Sequence, residues 1–485
     1  MDYSAVVEAL YERHRSVRDA GFSGSAYKPG LDAMQSYAGY LGHPERLFRS
    51  IHVAGTNGKG SVCSMLAAAL AARGLRVGLY TSPHLVDFRE RIKIIEVRPE
   101  APLPQKELRF AHPSQPYGWP PPSNVSEGGH GSSEAGGLPA ASMIPEEAVC
   151  EFLERYDREG LTFFEVTTGM AFWWFAEQRV DVAVIETGLG GRLDSTNIVT
   201  PEISIVTSIG LDHCDLLGST RAEIAAEKAG IFKPGVPALV WGRDPETQPV
   251  FERIAASVGA PLYFAEDYPL PATNFTLDLL GPCQYLNLRT VLAALYLVGR
   301  KMQAAEIQHD TESKWGQIPP LGIGKSLSGS ELHFTPTERQ LEALAHAAQI
   351  TGLRGRWEQL LSDPLTICDI GHNPPAMEAN MQKLKAVGKP VIFVYGAMKD
   401  KDVDDIKHYL PADATYYLVQ PQTPRAMPLQ DLALKLKSFN TVAAGSVKQG
   451  VQQALERAKQ QPGAIVYIGG STFVVSEAII YIESL

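Results

Sequence analysis

The sequence predicts a two-domain α/β fold, with a larger N-terminal domain on a mostly parallel sheet and a smaller, Rossmann-like C-terminal α/β domain. Three observations predict it. At 485 residues the chain exceeds one ordinary domain, and a composition 45% hydrophobic and 20% charged supplies a core for each half. Short apolar, β-branched runs alternate with helical stretches, as in a parallel sheet covered on both faces. That alternation restarts after about residue 354, which places the domains at 1–350 and 351–485.

Residues 50–54 read as a strand that enters the glycine-rich run 55–61. Residues 62–73, rich in Ala, Leu and Met, read as a helix with Gly74 at its C-terminal cap. The runs 76–80, 181–185, 203–207 and 237–241 read as further strands. In the second half, 365–368 leads into Asp369 and a helix from Pro374, and 391–395, 415–419 and 464–468 supply strands. Between the halves, 335–338 (Thr-Pro-Thr-Glu) reads as a capping box with Pro at the first helical position. It opens a helix over 340–349 that stops at Gly352, just before the hinge. Two segments break the pattern. Residues 98–142 hold nine Pro, six Gly and six Ser, too little apolar surface to offset the entropy of ordering. They read as a flexible insertion without a catalytic role, and 303–334 is a milder case.

Composition excludes several functions. The net charge is -10 and no Lys/Arg-rich block occurs, which argues against a nucleic-acid or membrane-surface partner. The cysteines number five, an odd count without a C-x-x-C pair, so they read as reduced thiols rather than a disulfide framework or zinc site. The first residues form a charged amphipathic start rather than a signal peptide, and no apolar run approaches the roughly 20 residues of a membrane span. A cytoplasmic protein is expected.

The strongest chemical feature is the run Gly55, Thr56, Asn57, Gly58, Lys59, Gly60 and Ser61, a glycine-rich turn between a strand and a helix. Backbone N–H groups and the helix N-terminus there suit phosphate, which makes the first domain P-loop ATPase-like. Lys59 would neutralise β/γ-phosphate charge and the Ser61 hydroxyl would reach Mg²⁺. The match to the usual phosphate loop is imperfect: two residues separate Gly55 from Gly58, and Gly60 intervenes before Ser61.

Further polar clusters follow strand ends, where sheet ligands gather. Glu186 begins ETGLGGRLDSTN (186–197) and suits a Mg²⁺ ligand, with a turn-capping carboxylate as the alternative; Arg192 is a candidate anion contact. His213, flanked by Asp212 and Asp215, fits a metal role and a structural role equally. Lys228 in EKAGIFKPG (227–235) reads on its own as a surface lysine. Asp369 and His372 in DIGHNP (369–374) suit ribose hydroxyls or a carboxylate substrate, with a polar strand–helix cap as the alternative. YGAMKDKD (395–402) repeats that placement.

Together GTNGKGS (55–61), TSPHL (81–85), RERI (89–92), FFEVTTGMAF (163–172), ETGLGGRLDSTN, TSIGLDH (207–213), EKAGIFKPG and DIGHNP resemble the folylpolyglutamate synthase/dihydrofolate synthase family, a branch of the Mur ligase superfamily. They occur in family order and span most of the chain outside the two insertions. The resemblance implies that 55–61 binds ATP phosphates. It implies that Ser61, Ser82, Glu186 and His213 hold a pair of Mg²⁺ ions. It implies that Lys228 is carbamylated and helps to position metal, which reverses the surface reading. It further implies that Gln284, Asn287, Arg356 and Asp369 lie near the nucleotide, that 82–91 and 162–168 lie near the pterin, and that glutamate sits near His372 and Ser471. Lys59, Lys228 and His372 are the expected catalytic residues. The insertion after 94–97 falls where relatives have a short turn, and its composition favours a passive surface excursion.

The implied reaction is ATP-dependent joining of L-glutamate to a pteroate or folate carboxylate through an acyl phosphate, by a monomer. The rivals are a peptidoglycan-type Mur ligase and a nucleotide-dependent switch without ligation. Gly60 after Lys59, and the absence of an N-terminal UDP-binding domain before the loop, favour the folate branch. Polar strand ends in the second domain disfavour a switch.

Overall fold

The computed structural model describes residues 2–14, 30–97, 138–268, 270, 276–306 and 336–485. The first domain runs α1 (Tyr3–Arg13), α2 (Asp32–Tyr40), β1 (Arg49–Ala54), α3 (Lys59–Ala71), β2 (Val77–Tyr80), β3 (Ile92–Val97), β4 (Pro139–Met143), α4 (Glu146–Tyr156), α5 (Phe163–Glu177) and β5 (Val182–Glu186). It continues with β6 (Ile203–Val206), α6 (Cys214–Leu217), α7 (Arg221–Ala229), β7 (Ala238–Val240), α8 (Gln248–Val258), β8 (Leu262–Phe264), α9 (Gln284–Glu306), α10 (Glu338–Ala345) and α11 (Ala347–Thr351).

These strands form one eight-stranded sheet in the order β4-β3-β2-β5-β1-β6-β7-β8. Only β3 and β4 are antiparallel to their neighbours. β1 lies between β5 and β6, with Ile51 opposite Val184 on one side and Ile203 on the other. Alternate side chains feed opposite layers, as strand geometry requires. Ile51, Val53, Val184 and Ile205 pack with α3, α9 and α10, whereas Ala183 and Ile185 pack with α4 and α5. α3 is apolar on every side because every side is covered, and its residues from Gly60 to Ala71 are all buried.

The second domain contains β9 (Glu358–Ser362), β10 (Leu365–Cys368), α12 (Pro374–Val387), β11 (Val391–Tyr395), β12 (Thr415–Val419), α13 (Leu429–Lys435), β13 (Asn440–Gly445), α14 (Val447–Lys459), β14 (Ile465–Gly469) and α15 (Thr472–Glu483). Its six strands are ordered β13-β12-β11-β14-β10-β9, and only β9 is antiparallel. Ile392 and Val394 face α14 and α15, while Phe393 and Tyr395 face α12 and α13, so the sheet is doubly wound.

Three expectations are corrected. Residues 98–137 lie outside the described residues, but Pro139–Met143 of the expected insertion is a strand, with Ile95 opposite Ala141. Its small residues have weak strand propensity, and pairing with β3 overrides it; its Pro begins the strand, where a lost donor costs least. The expected second insertion likewise overlaps helix, because α9 runs on to Glu306, while 307–335 lie outside the described residues. The capping box is Thr337 with Gln340 rather than one opened by Thr335. The Thr337 Oγ1 accepts from Gln340 N at 3.2 Å, and Gln340 Oε1 accepts from Thr337 N at 3.1 Å. The helix it opens breaks at His346 before resuming as α11 and stopping at Gly352, with φ +64°.

At that joint Lys93 is buried and donates to the carbonyls of Thr351 at 2.7 Å and Gly352 at 3.3 Å. Burial lowers its pKa to about 8, and its cation still suits a helix C-terminus. No helix among the described residues is long and apolar enough to cross a membrane. Leu66, fully buried in α3, has no room to relax. Leu66→Ala is expected to destabilise the first domain by about 2–5 kcal/mol, seen as a lower midpoint in thermal or urea unfolding.

Candidate active site

β1 sends its following helix towards β2, whereas the chain leaving β6 turns towards β7. Adjacent strands whose connections diverge leave a crevice at their carboxyl ends. The loops there are tied together. Thr56 N donates to Ser208 O at 2.8 Å, Thr207 Oγ1 to Asn57 O at 2.8 Å, and Thr56 Oγ1 to Gly210 O at 3.1 Å.

This packing explains the glycines. A Cβ on Gly55 would lie 1.7 Å from Thr207 Oγ1, and one on Gly58 would lie 2.4 Å from Asn287 Oδ1. Gly58 also has φ +90°, in the left-handed region, as it turns the chain into α3. Gly60 brings the backbone close to the Arg356 guanidinium, whose NH2 would stand 3.4 Å from an added Cβ.

A cleft of about 680 Å³ opens over this loop and reaches the second domain. Its walls include 56–61, Ser82, Glu186, His213, Gln284, Asn287, Arg356, Asp369 and His372, so residues from seven separate stretches of chain converge. Lys59 Nζ donates back to Gly55 O at 3.1 Å and lies 3.9 Å from Glu186 Oε1. Glu186 Oε2 accepts the Ser82 amide at 3.0 Å, and burial raises the carboxyl's pKa against the pull of Lys59. Asn287 Nδ2 donates to Gln284 Oε1 at 3.0 Å at the start of α9, which fixes both amides.

Lys228 is 4% exposed in α7, not a surface residue. Burial, with Lys59 as the next contributor, lowers its pKa to about 7, so a large share of the amine is neutral at neutral pH. His372 Nδ1 lies 2.9 Å from Ile370 O. A carbonyl only accepts, so Nδ1 carries the proton and Nε2 is left as an acceptor. Burial and then Lys401 push this imidazole's pKa down, and burial lowers that of His213 to about 3.

Some expected contacts are redirected. Asp369 is committed to its own loop: it accepts from Trp357 N at 2.8 Å, Gly371 N at 2.7 Å and Asn380 Nδ2 at 2.6 Å. It is therefore a strand–helix brace that touches the cleft wall. Ser471 is a helix cap, its Oγ accepting from Phe473 N at 3.1 Å, and it does not line the cleft. Arg192 pairs with Glu227 at 2.8 Å on a half-exposed face, also away from the cleft. Asp215 is exposed.

The loop 82–91 is stiff. Glu90 accepts from the backbone amides of Leu85, Val86 and Asp87 at 2.8–2.9 Å. Arg91 donates to His84 at 2.9 Å and lies over the Phe163 ring. Tyr80 OH meets Thr167 and Thr168 hydroxyls at 3.2 and 3.1 Å. This brings 82–91 against the start of α5.

Sequence reasoning missed a set of polar contacts between the domains. Asn57 and Asn373 exchange amide hydrogen bonds at 3.0 and 3.1 Å, and Asn373 Nδ2 also donates to Asp212 Oδ2 at 3.0 Å. Lys401 Nζ donates to Asp212 Oδ1 at 2.6 Å. Burial alone would raise the Asp212 pKa; His213, His372 and Lys401 hold it well below the usual carboxylate range. The run 395–402 held the signal, a charged turn after a strand, but nothing local names its partner. Among the described residues no three His, Cys, Asp or Glu side chains group as a ready metal cage.

The glutamate ligase domain model of the Mur ligases matches residues 355–472. Folylpolyglutamate synthase of Lacticaseibacillus casei is 30% identical over 461 residues, 90% of each chain. Dihydrofolate synthase/folylpolyglutamate synthase of Bacillus subtilis is 30% identical over 93% of this chain and 94% of its own. Among solved structures, Escherichia coli FolC in complex with DHPP and ADP aligns with a TM-score of 0.71 at 26% identity, over 99% of this chain and 98% of that one. A bifunctional folylpolyglutamate synthase/dihydrofolate synthase with Mn, AMPPNP and L-glutamate bound aligns at 0.68 and 25% identity, over 99% and 98%.

Gly58→Ala meets both a forbidden backbone conformation and Asn287. It is expected to weaken ADP binding by about tenfold or more in titration calorimetry, equivalent to about 1.4 kcal/mol, while circular dichroism stays unchanged.

Proposed function

The chain belongs to the folylpolyglutamate synthase/dihydrofolate synthase family, and on that premise we propose that it joins L-glutamate to the carboxylate of a pteroate or folate, using ATP. The observation that carries this reading is the cleft itself. A phosphate loop on one domain hydrogen-bonds Asn373 of the other through Asn57, and His372 lines the same cleft. A switch that only turns over nucleotide has no use for that second wall. Relatives of the folate branch align along both domains, which disfavours the peptidoglycan-type alternative.

A carboxylate and an amine do not condense at neutral pH without activation. The carboxylate oxygen attacks the γ-phosphorus of ATP, ADP leaves, and an acyl phosphate forms. The amine of glutamate then adds to the carbonyl carbon, the tetrahedral intermediate expels inorganic phosphate, and the amide remains. Lys59 offers a cation beside the loop for charge on the transferring phosphoryl group, and loop amides at the α3 N-terminus hold the remaining oxygens. His372 Nε2 accepts from the incoming amine and aligns it. Closure of the two walls over the substrates would exclude water that hydrolyses the acyl phosphate.

The donor set fits a hard divalent cation. The buried Glu186 carboxylate, the Ser61 and Ser82 hydroxyls and the His213 imidazole line one cleft and would offer mostly oxygen ligands. Mg²⁺ ordinarily completes its shell with phosphate and water rather than a protein cage. When bound, it supplies charge neutralisation on the phosphates. Lys228 fits carbamylation because about half of its amine is neutral near pH 7: the amine nitrogen adds to CO2 and releases a proton, leaving a carboxylate on the side chain.

The assay supplies ATP, Mg²⁺ and glutamate with either dihydropteroate or tetrahydrofolate, and measures ADP and product mass. ADP release that depends on both glutamate and a pteroate is expected, and glutamate-independent turnover would refute ligation. Which pteroate is consumed decides between dihydrofolate synthase, folylpolyglutamate synthase and both. Lys59→Ala is expected to lower kcat by about 10²–10³-fold. For Lys228, carbamate is favoured as pH rises through about 7. Activity in CO2-stripped buffer is therefore expected to fall most below pH 7 and to return with bicarbonate. ¹³C-bicarbonate should give a carbamate resonance that Lys228→Met lacks; its absence from the active wild type would count against the modification.

A further inference from the structure

The polar contacts between the domains converge on one carboxylate that the reaction scheme does not use. Asp212 is 11% exposed and Lys401 17%. Asp212 Oδ1 accepts both Lys401 Nζ, at 2.6 Å, and the backbone N–H of His213, at 3.0 Å. Its Oδ2 accepts Asn373 Nδ2, the N-cap of α12. Asn373 in turn pairs with Asn57 of the phosphate loop. The chain Lys401–Asp212–Asn373–Asn57 thus crosses the domain boundary at each link.

The backbone at both ends is held. Lys401 sits on a turn closed by its own amide to Met398 O at 3.1 Å. That turn is braced by Lys399 N to Arg425 O at 2.9 Å and by Arg425 to Asp400 at 2.6 Å. His213, at the other end, adopts φ +51°, a left-handed conformation unfavourable for a residue with a Cβ. Such a conformation persists only where the surroundings enforce it. His213 O accepts from Leu216 N and Leu217 N at 3.0 Å, and His213 N donates to the Asp212 carboxylate, whose partner on the second domain is Lys401.

We infer that Lys401 is a positioning residue. Its ion pair with Asp212 ties the two domains together at the cleft and sets the His213 turn in register with the phosphate loop. The hydrogen-bond partner of the ammonium is Asp212, not the phosphate loop or the His372 ring, which it reaches only through space. The inference rests on the ligase reading for what the register serves, and on the contacts alone for the lock.

The test uses full-length Lys401→Met, Asp212→Asn, the double variant and Lys401→Arg. Ligation is followed with the assay above, and closure with an interdomain fluorescence-transfer pair and Mg²⁺–AMPPNP as the probe. Each single variant is expected to lower kcat by about tenfold or more, since breaking a buried pair strands its partner, and to shift transfer towards the open state. The KM for ATP should stay within about twofold. The double variant should be no worse than the poorer single one, because both remove one interaction, and Lys401→Arg should recover most of the loss. Closure unchanged in Lys401→Met, or losses that multiply in the double variant, would overturn the inference. A wild type that closes on AMPPNP but yields no glutamyl product would refute the ligase reading, while the same cycle measured on transfer would still support the lock.

Discussion

The turn from β1 into α3 has to pass between the β6 loop and the head of α9 while keeping its amides pointed at open space. Everything around it serves that passage. β1 sits between two parallel neighbours, so its carboxyl end cannot drift, and α3 is enclosed by the sheet and three helices. Thr207 and Asn287 then press on the turn from either side, leaving room only for hydrogen at Gly55 and Gly58. The loop is stiff because its two ends are among the most deeply buried parts of the molecule, and stiffness there means that donors need no reorganisation when a phosphate arrives.

Around that fixed point the cleft concentrates charge in places where water is scarce. Lys59 with Glu186, and Lys401 with Asp212, bring opposite charges together at 3.9 and 2.6 Å. Such pairs give little net stability, because desolvation offsets attraction. Their worth is in geometry, since each fixes a loop that a hydrophobic substitute would leave loose. Lys228 is the exception: burial and a neighbouring cation oppose its charge and lower its pKa to about 7.

Much of this was legible in the sequence, for identifiable reasons. The parallel strands announce themselves as short β-branched runs, and the phosphate loop is contiguous, so its strand, glycines, lysine and helix are read together. What escaped is what depends on distant partners. β4 has small, weakly strand-forming residues and exists because β3 lies beside it. Asp369 reads in the sequence as either a ligand or a strand–helix cap; it lines the cleft, and its hydrogen bonds to Trp357, Gly371 and Asn380 are the part no local pattern encodes. Ser471 likewise resembles a substrate contact until its amide partner is seen. The link from Lys401 to Asp212 joins residues 189 positions apart, and no local pattern encodes it.

The pairing of β3 with β4 also bears on how this chain tolerates change. Val97 lies opposite Pro139 in register, so the stretch between them leaves and rejoins the sheet through a stem one strand-spacing wide. The entropy of closing such a loop grows only with the logarithm of its length, about 0.6 kcal/mol for each doubling. β4 is the outermost strand, separated from β1 by β3, β2 and β5. The stem therefore fixes both ends of this stretch at the sheet edge, so a change in its length need not disturb the pairing of β1 with β5 and β6.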